Sequence, residues 1–351
     1  MAPTTITSGF GRLRAIAAAL AVLISTAPSA AQTEIALDQS AQAMAAQPAA
    51  LPQTLPQTLP QTLPQTLPQT LPAPLELAPN EAAEKEAARG VRPGMFQRVI
   101  FNGTWINSDG SGGLGLSDIE LKAIFALPCP TREWPMVITP GFAQHWIDAP
   151  GADLPPRMYD AWTEFRWLPK IAPSLMLDLA VTPGVYRDFD EHTDDGLRVT
   201  SHAAAVWTAT PTTKLVLGAS YLDRSDLNVI PIGGMIWTPT PDWQLDLLFP
   251  QPKIARRFAR DPGNSADVED WAYIAGEFGD WVWAVRRSDG TLDKAEYRDT
   301  RLLLGIERKV FGGLSGRLEL GYVFTRKLRY TSGQGEFQPR DAVLVRAGVD
   351  Y

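Results

Sequence analysis

The chain holds three imidazoles, His145, His192 and His202, and these are the side chains best suited to general acid–base work near neutral pH. Ser201 adjoins His202, but neighbours in an extended strand point to opposite faces, so a nucleophile and its base cannot meet in that way. The phase of the surrounding residues predicts His202 facing inward and His145 outward or at a rim. No catalytic residue is assigned on this basis. Cys129 is the single thiol in 351 residues, which rules out an internal disulfide and leaves no thiolate partner for a metal. Gly110, Gly112 and Gly115 spell a GxGxxG pattern, yet the following residues alternate as a strand, and the helix that would receive a pyrophosphate is missing. Asp188, Asp190, Glu191, Asp194 and Asp195 make an acidic loop whose glycine is misplaced for an EF-hand. Neither cofactor nor metal is expected. With 32 basic against 39 acidic residues, a net charge of −7 and no basic cluster, nucleic acid is not expected as a partner.

The charged residues that remain carry a different message, because they fall in phase with polar rows. Asp160, Glu164, Arg166, Asp178, Asp246, Asp299, Arg301, Glu307, Arg317, Glu319 and Arg346 each alternate with apolar neighbours. On a lipid-facing surface each would cost about 2–4 kcal/mol near the midplane, so they are expected to face an enclosed interior. Acids and bases opposed there would either set a field across a passage or pair into a packed network.

The elements that would hold them are strands. Ile119, Leu121, Ala123, Phe125 and Leu127 alternate with Glu120 and Lys122, and Leu318, Leu320, Tyr322 and Phe324 alternate with Arg317 and Glu319. The chain stops on the same pattern, with Val345, Ala347, Val349 and Tyr351 on one face of the last strand, the mark of a barrel-closing segment. Breakers between strands fall into two alternating classes. Short ones are 129–135, 169–174, 209–213, 239–242, 279–280 and 310–314; longer polar ones are 107–117, 147–156, 188–196, 223–228, 259–269, 288–295 and 329–340. Seven long loops imply fourteen strands. Short turns at one end and long loops at the other predict an up-and-down transmembrane β-barrel of about fourteen antiparallel strands over residues 95–351.

Aromatic placement separates a membrane barrel from a soluble sandwich. Trp167, Trp207, Trp237, Trp243 and Trp281 lie beside short breakers, while Trp105, Trp146, Tyr159, Tyr186, Tyr221, Trp271 and Tyr297 lie beside long ones, which predicts two interfacial belts. Pro140, Pro183, Pro231, Pro250 and Pro252 interrupt the strands; each lacks a ladder donor and predicts a kink, a bulge or a local opening. The stretch 230–258, through Pro231, Gly233, Gly234, Trp237, Pro239, Trp243, Leu247, Phe249, Pro250 and Pro252, resembles an uncharacterised bacterial family described as outer-membrane β-barrel proteins. That resemblance implies a fold and no activity.

Ahead of the barrel, Arg12 and Arg14, an apolar run over 15–24 and small residues at 29–31 predict a cleaved secretory signal over 1–31. Residues 32–94 form a low-complexity arm with LPQT repeated over 51–70, extended because proline recurs every fourth residue, and with one short helix expected over 80–89. Together these features predict an outer-membrane protein of a Gram-negative-type bacterium with its arm in the periplasm. Its partners would be outer-membrane lipids and the barrel-assembly machinery. The leading functional expectation is passage of small solutes past a charged lumen; an envelope-anchoring barrel and a lipid-modifying enzyme are the rivals.

Overall fold

The computed structural model describes residues 94–108, 110–131, 134–188, 196–225, 228–262 and 267–351. The signal segment, the LPQT arm, the helix over 80–89, His192 and most of the acidic loop lie outside the described residues.

The described chain is one antiparallel sheet of fifteen strands. They are β1 (Phe96–Ile106), β2 (Gly115–Thr131), β3 (Trp134–Asp148), β4 (Arg157–Trp167), β5 (Lys170–Ala172), β6 (Leu175–Arg187), β7 (Leu197–Thr210) and β8 (Thr213–Tyr221) in the first half. The second half holds β9 (Val229–Thr240), β10 (Trp243–Phe249), β11 (Lys253–Pro262), β12 (Asp267–Arg286), β13 (Leu292–Val310), β14 (Ser315–Tyr330) and β15 (Ala342–Asp350). Apart from β4 and β5, each strand pairs with its neighbours in sequence, β1 meets β15 through Ile100↔Asp350 to Ile106↔Leu344, and β4 meets β6 directly. The three-residue β5 sits in the β4–β6 connection and pairs only with β6. Fourteen strands therefore close the ring, and every one of them is paired on both sides over at least part of its length, so no whole strand is left as an edge.

Side chains alternate as the sequence pattern requires. In β15, Ala342, Leu344, Arg346, Gly348 and Asp350 are buried, while Val343, Val345, Ala347 and Val349 point outward with Tyr351 exposed after them. The outward rows of β1, β2, β13 and β14 include Phe101, Leu121, Leu304 and Leu320, each more than two-fifths exposed. Apolar side chains outside and charged ones inside invert the order of a soluble protein, and this is the pattern that hydrocarbon as solvent selects.

The fourteen strands match the expected number, but three connections differ. In place of the long break expected at 259–269, β11 runs to Pro262 and β12 begins at Asp267, both at the end of the ring where β1 begins and β15 finishes. The turn expected at Gly279 and Asp280 does not exist: β12 runs through both, with Gly279 opposite Asp299 and Asp280 opposite Arg298. The missing turn is instead residues 250–252, between β10 and β11. Two prolines bracket it, and each denies the ladder an N–H that would have carried one long strand onward. One spurious turn and one overlooked turn cancel in the count.

The remaining prolines leave the register intact. In the β2–β3 ladder, pairs are recorded at Lys122↔Gly141 and Phe125↔Ile138 with a lapse beside Pro140, and between β4 and β6 at Trp162↔Gly184 and Phe165↔Val181 with a lapse beside Pro183. Trp162 lies across the first gap: a Cβ on Gly141 would fall 2.5 Å from its indole, so only glycine admits that ring.

Candidate functional site

Most of the interior charge gathers on one wall. Glu277 of β12 accepts from Arg301 of β13 at 2.9 Å and from Arg346 of β15 at 2.9 and 3.0 Å. Arg346 also reaches Glu319 of β14 at 3.1 Å, Arg317 donates to Asn102 of β1 at 3.0 Å, and Asn102 donates to Glu120 of β2 at 2.9 Å. Asp299 receives Arg301 at 2.8 Å and the Tyr297 hydroxyl at 2.9 Å, while the Tyr273 hydroxyl donates to Glu319 at 2.7 Å. Six strands are thus tied across the lumen face by charge-assisted bonds, the strong class of hydrogen bond. Nearer the terminal end, Lys253 meets Glu307 at 3.1 Å and Arg257 meets Glu269.

The opposite wall holds a smaller cluster. Arg166 grips Asp178 with two nitrogens, the fork geometry that suits guanidinium to carboxylate, and His202 bonds the same carboxylate at 3.1 Å. Ser201 faces outward, and the Ser220 hydroxyl across from His202 donates to the Ser201 carbonyl at 3.2 Å. Asp160 receives Trp283 at 2.8 Å and bonds His145 at 2.9 Å. His145 is therefore an inward residue, 3% exposed, and not a rim residue. The expectation failed because the inward row of β3 carries apolar Val137 and Ala143 while polar Gln144 faces outward, which hides the phase of His145. Glu164 is buried facing inward, and Asp246 is half-buried beside Gln244 at 2.9 Å. Between the charged clusters the inner face of β7–β10 is apolar, with Ala204, Val206, Val216, Ile232 and Leu248 in contact.

One hairpin departs from the wall. Alternation lapses at Val282, Trp283, Ala284 and Val285 and again at Ala295, Glu296 and Tyr297, all buried in succession. A strand covered on both faces has left the barrel surface and entered its interior. The departure follows Gly279, whose N–H donates to Asp299 at 3.1 Å and where a Cβ would strike that carboxylate. From there the β12–β13 tip spans the mouth. Trp283 reaches Asp160 of β4, Ala284 forms a parallel bridge with Arg187 of β6, and Arg198 of β7 donates to the Val282 carbonyl at 3.5 Å. At the tip, Ser288 N–H and Arg287 both bond Asp153 of the β3–β4 loop at 3.0 Å. Arg224 of the β8–β9 loop pairs with Asp280 and, at 3.8 Å, with Glu296.

Four aromatics of the expected belts lie inside instead: the hairpin's lean carries Trp281 and Tyr297 there, while Trp271 and Tyr186 fall on the inward rows of β12 and β6. Trp281 stacks on Trp283 at 6.0 Å inside, under the Arg301 guanidinium, and Tyr297 is 1% exposed beside them. Trp271 is buried inward with its indole N–H on Glu269, and Tyr186 faces inward beneath Arg198. Trp167, Trp207, Trp237 and Trp243 point outward at the terminal end, and Trp105, Trp146, Tyr159 and Tyr221 point outward at the far end. Glu277, Lys253, Arg257 and Glu269 are interior charges that sequence reasoning missed. Inward residues are even-numbered in β10 and odd-numbered in β11, so reading through the turn at 250–252 inverts the assignments of Lys253 and Arg257, while Glu269 fell inside the break expected at 259–269 and Glu277 beside the turn expected at Gly279. The paired prolines were the available signal.

No family model matches the chain, and no curated protein matches it. Among solved structures, it is similar to a deletion mutant of the TodX monoaromatic hydrocarbon channel, at 8% identity and TM-score 0.34, covering 74% of this chain and 90% of that one. It is also similar to the NanC porin, at 10% identity and TM-score 0.32 over 72% and 98%, and to an outer membrane channel from Pseudomonas putida F1, at 12% identity and TM-score 0.33 over 79% and 100%.

Proposed function

We propose that this chain is an outer-membrane channel for small solutes, its charged wall screening what passes and its β12–β13 tip lying across the outer mouth. The observation that carries the reading is the inversion of polarity around a closed ring: apolar rows outside, and acid–base pairs from Lys253–Glu307 to Arg346–Glu277 within. A barrel of this strand number encloses more space than its own wall side chains fill, and lumen charges tune selectivity rather than stability in lipid. The two aromatic rows would sit at the interfaces with outer-membrane lipids. Val345, Ala347, Val349 and Tyr351 would present the segment that the barrel-assembly machinery engages, and both ends of the ring's chain would face the periplasm with the LPQT arm.

The test is single-channel conductance of the refolded mature protein in a planar bilayer, with and without residues 32–94. Discrete steps in both forms are the expected result. Steps only after the deletion would make the arm a plug, and silence from a folded, inserted barrel would move the reading to an envelope anchor.

A further inference from the structure

The ring is closed at its base but not to its full height. On β9, Val229 to Ile232 pair with β8, and among the described residues they pair with no strand on the other side, because the β9–β10 ladder begins at Gly233↔Phe249. On β12, residues 277–283 pair with β13 alone, because the β11–β12 ladder ends at Lys253↔Ala275. Only β10, β11 and their three-residue connection stand between these two edges. β10 has 7 residues, where a tilted strand needs about 9–11 to cross hydrocarbon. Pro250 and Pro252 stop it there, since neither has an N–H with which to extend the ladder.

The gap has a frame. Its sill is Phe249 against Phe278, edge to face with centroids 5.7 Å apart, both on the outward row. Its lintel is the Arg224–Asp280 pair with the Ser225 N–H on Glu296 at 2.8 Å. Its near side is Val229, Ile230 and Pro231, and Val229 pairs with Tyr221, so the gap opens just inside the far-end aromatic row. Behind it runs the apolar strip through Ile232 and Leu248. Unpaired backbone at membrane depth persists only where it is buried in protein or lines a water-filled cavity, and here the inner face of the wall lies directly behind it.

We propose that this gap is a lateral portal through which small uncharged apolar molecules leave the barrel for the outer leaflet. The inference rests on the channel reading and deepens it by naming a second class of cargo. Valine, isoleucine, proline and phenylalanine line the way out, a surface that wets poorly and receives apolar solutes. Ions have no such exit, because hydrocarbon beyond the sill would exclude them.

The test places a plug at the portal after folding. In a Cys129→Ser background, Pro231→Cys or, as a second site, Phe249→Cys is labelled with a bulky maleimide on the intact full chain. Uptake of the apolar dye N-phenyl-1-naphthylamine by expressing cells is measured beside ion conductance of the same proteins in planar bilayers. The expected result is a several-fold fall in dye uptake on labelling, with conductance unchanged. Dye uptake indifferent to the label at both sites overturns the portal, as does a parallel loss of dye uptake and conductance, which would mean one shared aqueous route. Label-sensitive dye uptake without conductance supports the portal and defeats the aqueous pore. A folded protein that supports neither dye uptake nor conductance overturns both.

Discussion

Glu277 is the residue on which the charged wall turns, because two guanidinium groups from strands on either side of β14 converge on its carboxylate. Removing one member of a buried pair strands the other, a loss of about 3–5 kcal/mol in well-buried cases. Arg301 keeps Asp299 and Arg346 keeps Glu319, which places Glu277→Ala at the lower end of that range. The change should appear as a shifted urea midpoint in lipid vesicles and as a conductance pathway more selective for anions. The contrasting variant is Asp270→Ala, which breaks the exposed Arg308 pair at the terminal end. There solvent screens both partners, and the expected loss is under about 1 kcal/mol with selectivity unmoved. Equal losses from the two variants would mean that the interior network is as wet as the surface. The phase of Arg301, Arg317, Glu319 and Arg346 was legible in the sequence, whereas Glu277 was hidden beside an imagined turn.

At the scale of elements, the β12–β13 tip is held across the mouth by contacts that differ in kind. Trp283 on Asp160 is buried, but the tip's hold on the β3–β4 loop is a loop carboxylate facing solvent, and that hold is the one acid can reach. Burial alone would raise the Asp153 carboxyl; the Ser288 N–H and the Arg287 guanidinium outweigh it and keep the group below the ordinary aspartate range. A depressed carboxylate contributes its stability above the unfolded value, about 3.9, and surrenders it as pH falls through the lower folded value. Mouth closure should therefore be constant from neutral pH down to mild acid and loosen only below about pH 4. The reading is open probability against pH on the outer side of the bilayer. In Asp153→Asn the tip should open more often at neutral pH and lose that acid-dependent step, while an identical step in both proteins would assign the transition to another group. None of this was visible in the sequence. Gly279 and Asp280 announce a break in regular structure, and the same residues serve equally for a turn or for the bend at which a strand leaves the wall. Local propensity marks where the backbone yields, but only contacts with β4, β6 and β7 decide which way it goes.

The whole molecule combines a ring that periodicity dictates with an asymmetry that it does not. Period-two rows, the terminal strand and most of the connections depend on neighbours within a few residues and were readable; the turn at 250–252, the low β10–β11 wall, the crossing hairpin and the charged-against-apolar division of the lumen depend on which strands face one another. That asymmetry sets the final expectation. Because the tip of β12–β13 makes its contacts with the opposite wall from residues 282–288, and the network at Glu277, Asp299 and Arg301 lies below it, the tip is separable from the ring. Replacing residues 281–295 by a short glycine-containing turn between Asp280 and Glu296 keeps the ladder from Val268↔Val310 to Gly279↔Asp299. The shortened barrel should fold, since the fourteen-strand closure lies outside the deleted segment, and it should pass a several-fold larger current than the parent with fewer closures. Its acid-dependent step should vanish, because Asp153 loses both Ser288 and Arg287. An unchanged current from the shortened protein would place the constriction deeper, at the charged wall itself, and the tip would then be a strut bracing β4 and β6 rather than a cover.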